Sequence, residues 1–174
     1  MPGSGSALDE SSPEDDGAIA APGGATPVAL TARNTRVLCE SEAPPVRILR
    51  HGTEDPALTW IEVIGAPDWE QMTRASVSYN LAGPTSRTLW DFRPGVFPEL
   101  DAARSRAVAE RVEPHLRDAP ERRVAMVAET AHEFGLLRMY ASWADATLTG
   151  RVAMAFAPLR DGEGGLRWLA GDAG

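Results

Sequence analysis

The sequence predicts an α/β fold, with a mixed, mostly parallel five-stranded sheet and flanking helices in the order β-β-α-β-α-β-α-β-α. Three observations carry this. Residues 120 to 169, PERRVAMVAETAHEFGLLRMYASWADATLTGRVAMAFAPLRDGEGGLRWL, read as strand, helix, strand and short helix with hardly a residue spare. After the second strand, strands and helices alternate, which requires parallel pairing through right-handed crossovers. Gly and Pro punctuate the boundaries, as in Gly83-Pro84 and Pro94-Gly95.

The elements follow in order. Val46 to His51 forms a short apolar run with Arg47 and Arg50 alternating, suited to an edge strand that enters by a hairpin and runs antiparallel. His51 itself reads as a turn residue. Ala57 to Ile64 (ALTWIEVI) is β-rich on both faces, as a central strand would be. Asp68, with Gln71 three residues later, has the form of a capping box opening a helix to about Leu81. Arg87 to Phe92 is the third strand. Pro98 suits the first position of the next helix, where its missing N–H is not needed, and Glu99 and Asp101 complement the positive helix end. Val108, Val112 and Leu116 recur along that helix, and His115 reads as a dipole-complementing residue near its end. Arg122 to Ala128 is a strand buried on both faces, a third helix starts at Ala131, Arg151 to Ala157 is the fifth strand, and Leu166 to Leu169 forms a closing helical turn.

Residues 1 to 45 read differently. They are rich in Gly, Ser, Pro and Ala, carry the acidic cluster DESSPEDD and show no sustained apolar period, so the expectation is a disordered acidic tail ahead of one domain over residues 46 to 171. The tail holds seven acidic residues against Arg33 and Arg36, leaving 18 acidic residues and 15 arginines in the domain. Arginines interspersed with carboxylates give no footprint for a phosphate backbone, so nucleic acid is excluded as a partner. A single cysteine, Cys39, rules out a disulfide framework and a Cys-based metal site. No stretch has the apolar length of a transmembrane segment, nothing resembles a signal peptide, and a soluble cytoplasmic protein is expected.

The element order, the helix beginning HEFGLLRMY and the ending VAMAFAPLRDGEGGLRWLAG together resemble the SpoIIAA-like or STAS family of anti-sigma-factor antagonist folds, and within it the divergent bacterial branch that shares the SEC14-like lipid-binding architecture. The likeness covers about residues 46 to 171 and rests on element order with Phe134-Gly135, Arg138-Met139 and Trp168-Leu169. It implies a non-catalytic regulatory or protein-binding domain without a cofactor. Family members that act as phosphorylation switches place a phosphorylatable Ser where the helix opens after the third strand. Here the matching positions are Leu100 and Asp101, with Ser105 a turn deeper, so this chain departs from the switch pattern.

Motifs of chemistry are few. His132-Glu133 invites a zinc-protease reading, but the second His of HExxH is replaced by Leu136, and Thr130 with Glu133 has capping-box spacing. In open parallel sheets ligands collect at the strand carboxyl ends. That edge would display Arg93 and Asp101 after the third strand, and Glu129 and His132 after the fourth, either as a small polar pocket or as a solvated rim. The third helix carries two apolar stripes. Phe134, Leu137, Ala141, Ala144 and Leu148 should face the sheet, while Leu136, Tyr140 and Trp143, with Met139, lie roughly 120° away. The second stripe must meet a neighbouring helix, a ligand, a protein partner or a second copy. The expectation is therefore a regulatory or interaction module acting through that helix. A carrier of a small apolar or lipid ligand is the alternative, and an enzyme using Arg93, Asp101, Glu129 and His132 the third reading.

Overall fold

The computed structural model of the chain describes residues 30–42, 45–98, 101–116, 121–148 and 154–171. Its elements are β1 (Arg33–Glu42), β2 (Pro45–Gly52), β3 (Leu58–Gly65), α1 (Trp69–Leu81), β4 (Arg87–Asp91), α2 (Ala102–Val112), β5 (Arg122–Val127), α3 (Ala131–Leu148), β6 (Met154–Leu159) and α4 (Gly162–Ala170). They build one six-stranded sheet whose order is the chain order, β1-β2-β3-β4-β5-β6. The first two pairings are antiparallel and the last three parallel, so the sheet is mixed and mostly parallel, as the sequence predicts, with one strand more.

The extra strand corrects the reading of residues 1 to 45 as tail. Residues 33–42 pair with β2 from Arg33↔Gly52 to Glu42↔Pro45, so β2 is an internal strand and not the edge. β1 escapes a search for alternation because its register breaks twice, between Arg33 and Arg36 and between Val37 and Cys39, and Asn34 takes a left-handed φ of 50°. Bulges and charge are how an edge strand discourages further pairing, and most of β1 is exposed. Residues 1 to 29 lie outside the described residues, as do Glu99 and Leu100.

Right-handed crossovers that always step the same way along a sheet must place their helices on the same face. α1, α2 and α3 accordingly cover one side, where Ile61, Trp90, Val124 and Met126 of the sheet meet Met72 and Leu137. α4 covers the other, where Leu89, Ala125 and Val127 meet Leu169.

Helix boundaries follow local chemistry. α1 opens on the expected capping box: Gln71 N donates to Asp68 Oδ1 at 2.7 Å and Asp68 N donates to Gln71 Oε1 at 2.8 Å. α2 starts later than Pro98 suggests, because Asp101 is its N-cap and accepts from Arg104 N at 2.8 Å; Pro98 is buried in the approach. Pro114 lacks the N–H needed to continue α2, and a 3₁₀ turn over Glu113–His115 replaces the last helical turn. α4 is nine residues rather than a single turn, running from an Asp161 cap to a left-handed Gly171. Its glycines disguise it in sequence, yet Gly165 is what lets it close on the sheet: a Cβ there would lie 2.9 Å from Leu89 Cδ1. For β6, residues 151–153 of the expected strand lie outside the described residues, and pairing with β5 runs from Arg122↔Met154 to Val127↔Leu159.

Candidate functional site: a cavity between the sheet and helices α1 to α3

Period-two alternation turns Thr88 and Trp90 of β4, with Phe92 just beyond it, and Arg122, Val124 and Met126 of β5, toward the three helices. Between these strands and the helices lies a cavity of about 80 Å³. That is several times the roughly 10–15 Å³ that one water needs by the same measure. Its floor is Trp90, Val124 and Met126, and its walls are Val108 and Val112 of α2 and Tyr140 of α3.

The polar groups gather at one end, where β4 and β5 begin. Tyr79 Oη sits 2.7 Å from Thr88 Oγ1 and accepts from Thr85 N at 3.2 Å, so this phenol is satisfied within the protein. Arg122 is not. Its side chain is 2 % exposed, Nη1 donates to Asn80 Oδ1 at 2.6 Å, and buried Nε has no acceptor. Among the described residues no carboxylate forms an ion pair with it. Burial lowers its pKa, although a guanidinium stays protonated at any ordinary pH.

Among the described residues no hydrogen bond or ion pair joins the residues expected to form a polar site at the strand carboxyl ends, although Glu129 is near enough to Arg93 for their charges to interact. Arg93 is turned back on Asp91, with Nε–Oδ1 at 2.8 Å and Nη2–Oδ2 at 2.6 Å, and these bonds raise its pKa, helped by the nearby charges of Asp161 and Glu129. Asp101 is occupied as the α2 cap. Glu129 and His132 are exposed. Glu133 is buried and closes the capping box with Thr130 (Glu133 N to Thr130 Oγ1, 3.2 Å; Thr130 Oγ1 to Glu133 Oε2, 2.7 Å), and it also accepts from Phe97 N at 3.3 Å. Among the described residues no group of three or more His, Cys, Asp or Glu side chains is placed to hold a metal ion.

The second stripe of α3 faces inward. Leu136 packs on the main core cluster, and Tyr140 meets Phe97 edge-on at 6.3 Å and borders the cavity. Trp143 lies under the guanidinium of Arg106 from α2, 5.0 Å from the ring centroid. The neighbouring helix is thus what this stripe meets.

No family model matches the chain, and no curated protein matches it. Among solved structures it is similar to an uncharacterised protein of the DUF3478 family with a SpoIIAA-like fold from Shewanella loihica PV-4. The identity is 19% and the TM-score 0.41, over 71% of this chain and 93% of that one. At that identity and score the likeness says nothing about a site or an activity.

Two features escape a motif search. Arg122 stands beside Arg123 at the start of a strand expected to be buried on both faces, and it is the alternation Arg122, Val124, Met126 that turns the first toward the helices. His51, expected in a turn, is a buried residue at the end of β2. Its Nδ1 is 2.9 Å from Thr35 Oγ1 and its Nε2 is 3.1 Å from Glu62 Oε2, while the ring lies against Trp60 at 4.5 Å. Both ring nitrogens are engaged across three adjacent strands, so the imidazole pins β1 to β2 and β3. Its partner Thr35 lies in β1, the strand that two register breaks hide from a search for alternation.

Proposed function

We propose that this chain is a non-catalytic binding domain whose cavity between the sheet and α1 to α3 takes a small, largely apolar ligand. The observation that supports this reading is the cavity itself, an apolar space bordered by two strands and three helices in a protein interior that is otherwise closely packed.

The regulatory reading implied by the sequence resemblance has less support. The second stripe of α3 is engaged with α2, and the exposed large apolar side chains among the described residues, Val37, Leu81 and Val96, lie on separate elements. Ser105, the nearest hydroxyl to the family's phosphoacceptor position, is fully buried in α2.

Trp90 on the cavity floor supplies the test. Titration with hexanol should change tryptophan emission saturably, indole, itself fluorescent, should bind saturably by calorimetry, and Ala109→Leu, which fills the cavity from α2, should abolish both while the far-ultraviolet circular dichroism stays the same. Silence of both probes, or identical titrations in the filled variant, would remove the cavity from consideration and return the regulatory module to first place.

A further inference from the structure

We propose that the ligand of this cavity is a small monocarboxylate, its carboxylate held by the side edge of the Arg122 guanidinium and its hydrocarbon or aromatic body lying along Trp90, Val124 and Met126. The inference rests on the cavity being a ligand site and adds the chemistry of what enters it.

Among the described residues Arg122 has no counter-charge. Taking a guanidinium out of water costs several kcal/mol unless a counter-charge and hydrogen bonds replace the solvent. Among the described residues the arginines that form ion pairs, Arg33, Arg47, Arg87, Arg93, Arg104 and Arg111, all keep substantial exposure. Arg122, at 2 % exposure, has the neutral Asn80 amide as its partner.

The donors left over have a definite shape. Asn80 takes Nη1, and Asn80 is itself oriented by donating Nδ2 to Ser76 O at 2.8 Å, so the amide oxygen is held toward the guanidinium. What remains is the Nε–Nη2 edge, whose Nε is buried and without an acceptor. Two parallel N–H groups on that edge match the two oxygens of a carboxylate. The same chain uses this edge in this manner once already, where Arg93 binds Asp91 through Nε and Nη2.

Charge and surroundings narrow the class. Among the described residues no second basic side chain borders the cavity, so a dianionic phosphate would keep one charge uncompensated in an apolar space, whereas a carboxylate is neutralised by one arginine. Away from Arg122 the lining turns apolar, with Trp90, Phe92 and Val108, which suits a hydrocarbon or ring and disfavours a polar body such as a sugar.

The test uses the full chain and calorimetric titration with straight-chain carboxylates from butanoate to octanoate and with benzoate, each against its primary amide. The carboxylate that fits should bind about tenfold or more tightly than its amide, as loss of a charged hydrogen-bonding pair implies. Asn80→Asp places a carboxylate beside Arg122 and should abolish that preference, so that acid and amide bind alike. Arg122→Met should do the same; should it fail to fold, Asn80→Asp and the Arg122 Nε–H resonance of the wild type, which must shift on adding carboxylate but not amide, still decide the matter. Equal binding of acid and amide would overturn the carboxylate assignment and leave the apolar cavity standing. Binding of neither, in parallel with silent titrations by indole and hexanol, would overturn both. A carboxylate preference that survives Asn80→Asp with an unmoved Nε–H would place the anion elsewhere and also overturn the assignment.

Discussion

Tyr140 shows how much one side chain's setting can be read in its proton affinity. Its ring lies between Phe97 and the cavity, and desolvation raises its pKa to about 12. In the unfolded chain a tyrosine ionises near pH 10. Between these values the folded state holds the proton that the unfolded state has released, so folding stability is unaffected below about pH 10 and falls as pH rises toward 12. With the ring only partly covered, the loss should be on the order of 1–2 kcal/mol, seen as a lower urea midpoint near pH 11 than near pH 9. Tyr140→Phe should flatten most of that difference. An equal pH dependence in the variant would mean that other groups carry it. Arg93 and Arg122 make the complementary lesson in charge. The first partly covers and neutralises the buried carboxylate of Asp91, and the second stands in the interior with a neutral partner.

Among the elements, α3 is the one whose chemistry the sequence displays most openly, because two apolar stripes on one helix imply two packing partners. The structure supplies them as the sheet and α2. Replacing Tyr140 and Trp143 together by Ser should therefore cost on the order of 3 kcal/mol in a urea titration, the scale for removing buried aromatic volume; a loss under about 1 kcal/mol would mark the stripe as a free surface. β1 makes the opposite case. It carries His51's partner Thr35 and packs Leu38 and Cys39 against the core, so a chain lacking residues 1–42 should melt about 5 °C or more below one beginning at residue 30. Unchanged melting would show that β2 tolerates becoming the edge. Period, capping and punctuation made β2 to β5 and α1 to α3 legible, since each depends on residues close in sequence. β1 was hidden by two bulges, and the full length of α4 by glycines whose use is a close approach to the sheet. Arg122's role was hidden for a different reason: a missing counter-charge is a property of three-dimensional neighbours, and no local pattern records it.

At the scale of the molecule, protection should follow depth in the sheet. β4 and β5 have neighbours on both edges and are covered by helices on both faces, while β1 has one neighbour and is mostly exposed. Hydrogen exchange should accordingly be slowest for amides of Leu89–Asp91 and Val124–Val127 and much faster in Arg36–Glu40. Protection of β1 equal to that of β5 would mean that the unit opens only as a whole.

The colinear strand order has a further consequence for how the molecule comes into being. Every strand joins a neighbour that precedes it in the chain, so none must wait for a segment not yet made and none must be inserted between two already paired. The β1–β2–β3 meander needs only short hairpin closures, and each later strand adds to the growing edge with its own crossover helix. On a ribosome the sheet could lengthen in step with synthesis, strand by strand from the amino end. The growing edge then becomes that of β6, and the residues of α4 that follow it seal the opposite face over Leu89, Ala125 and Val127.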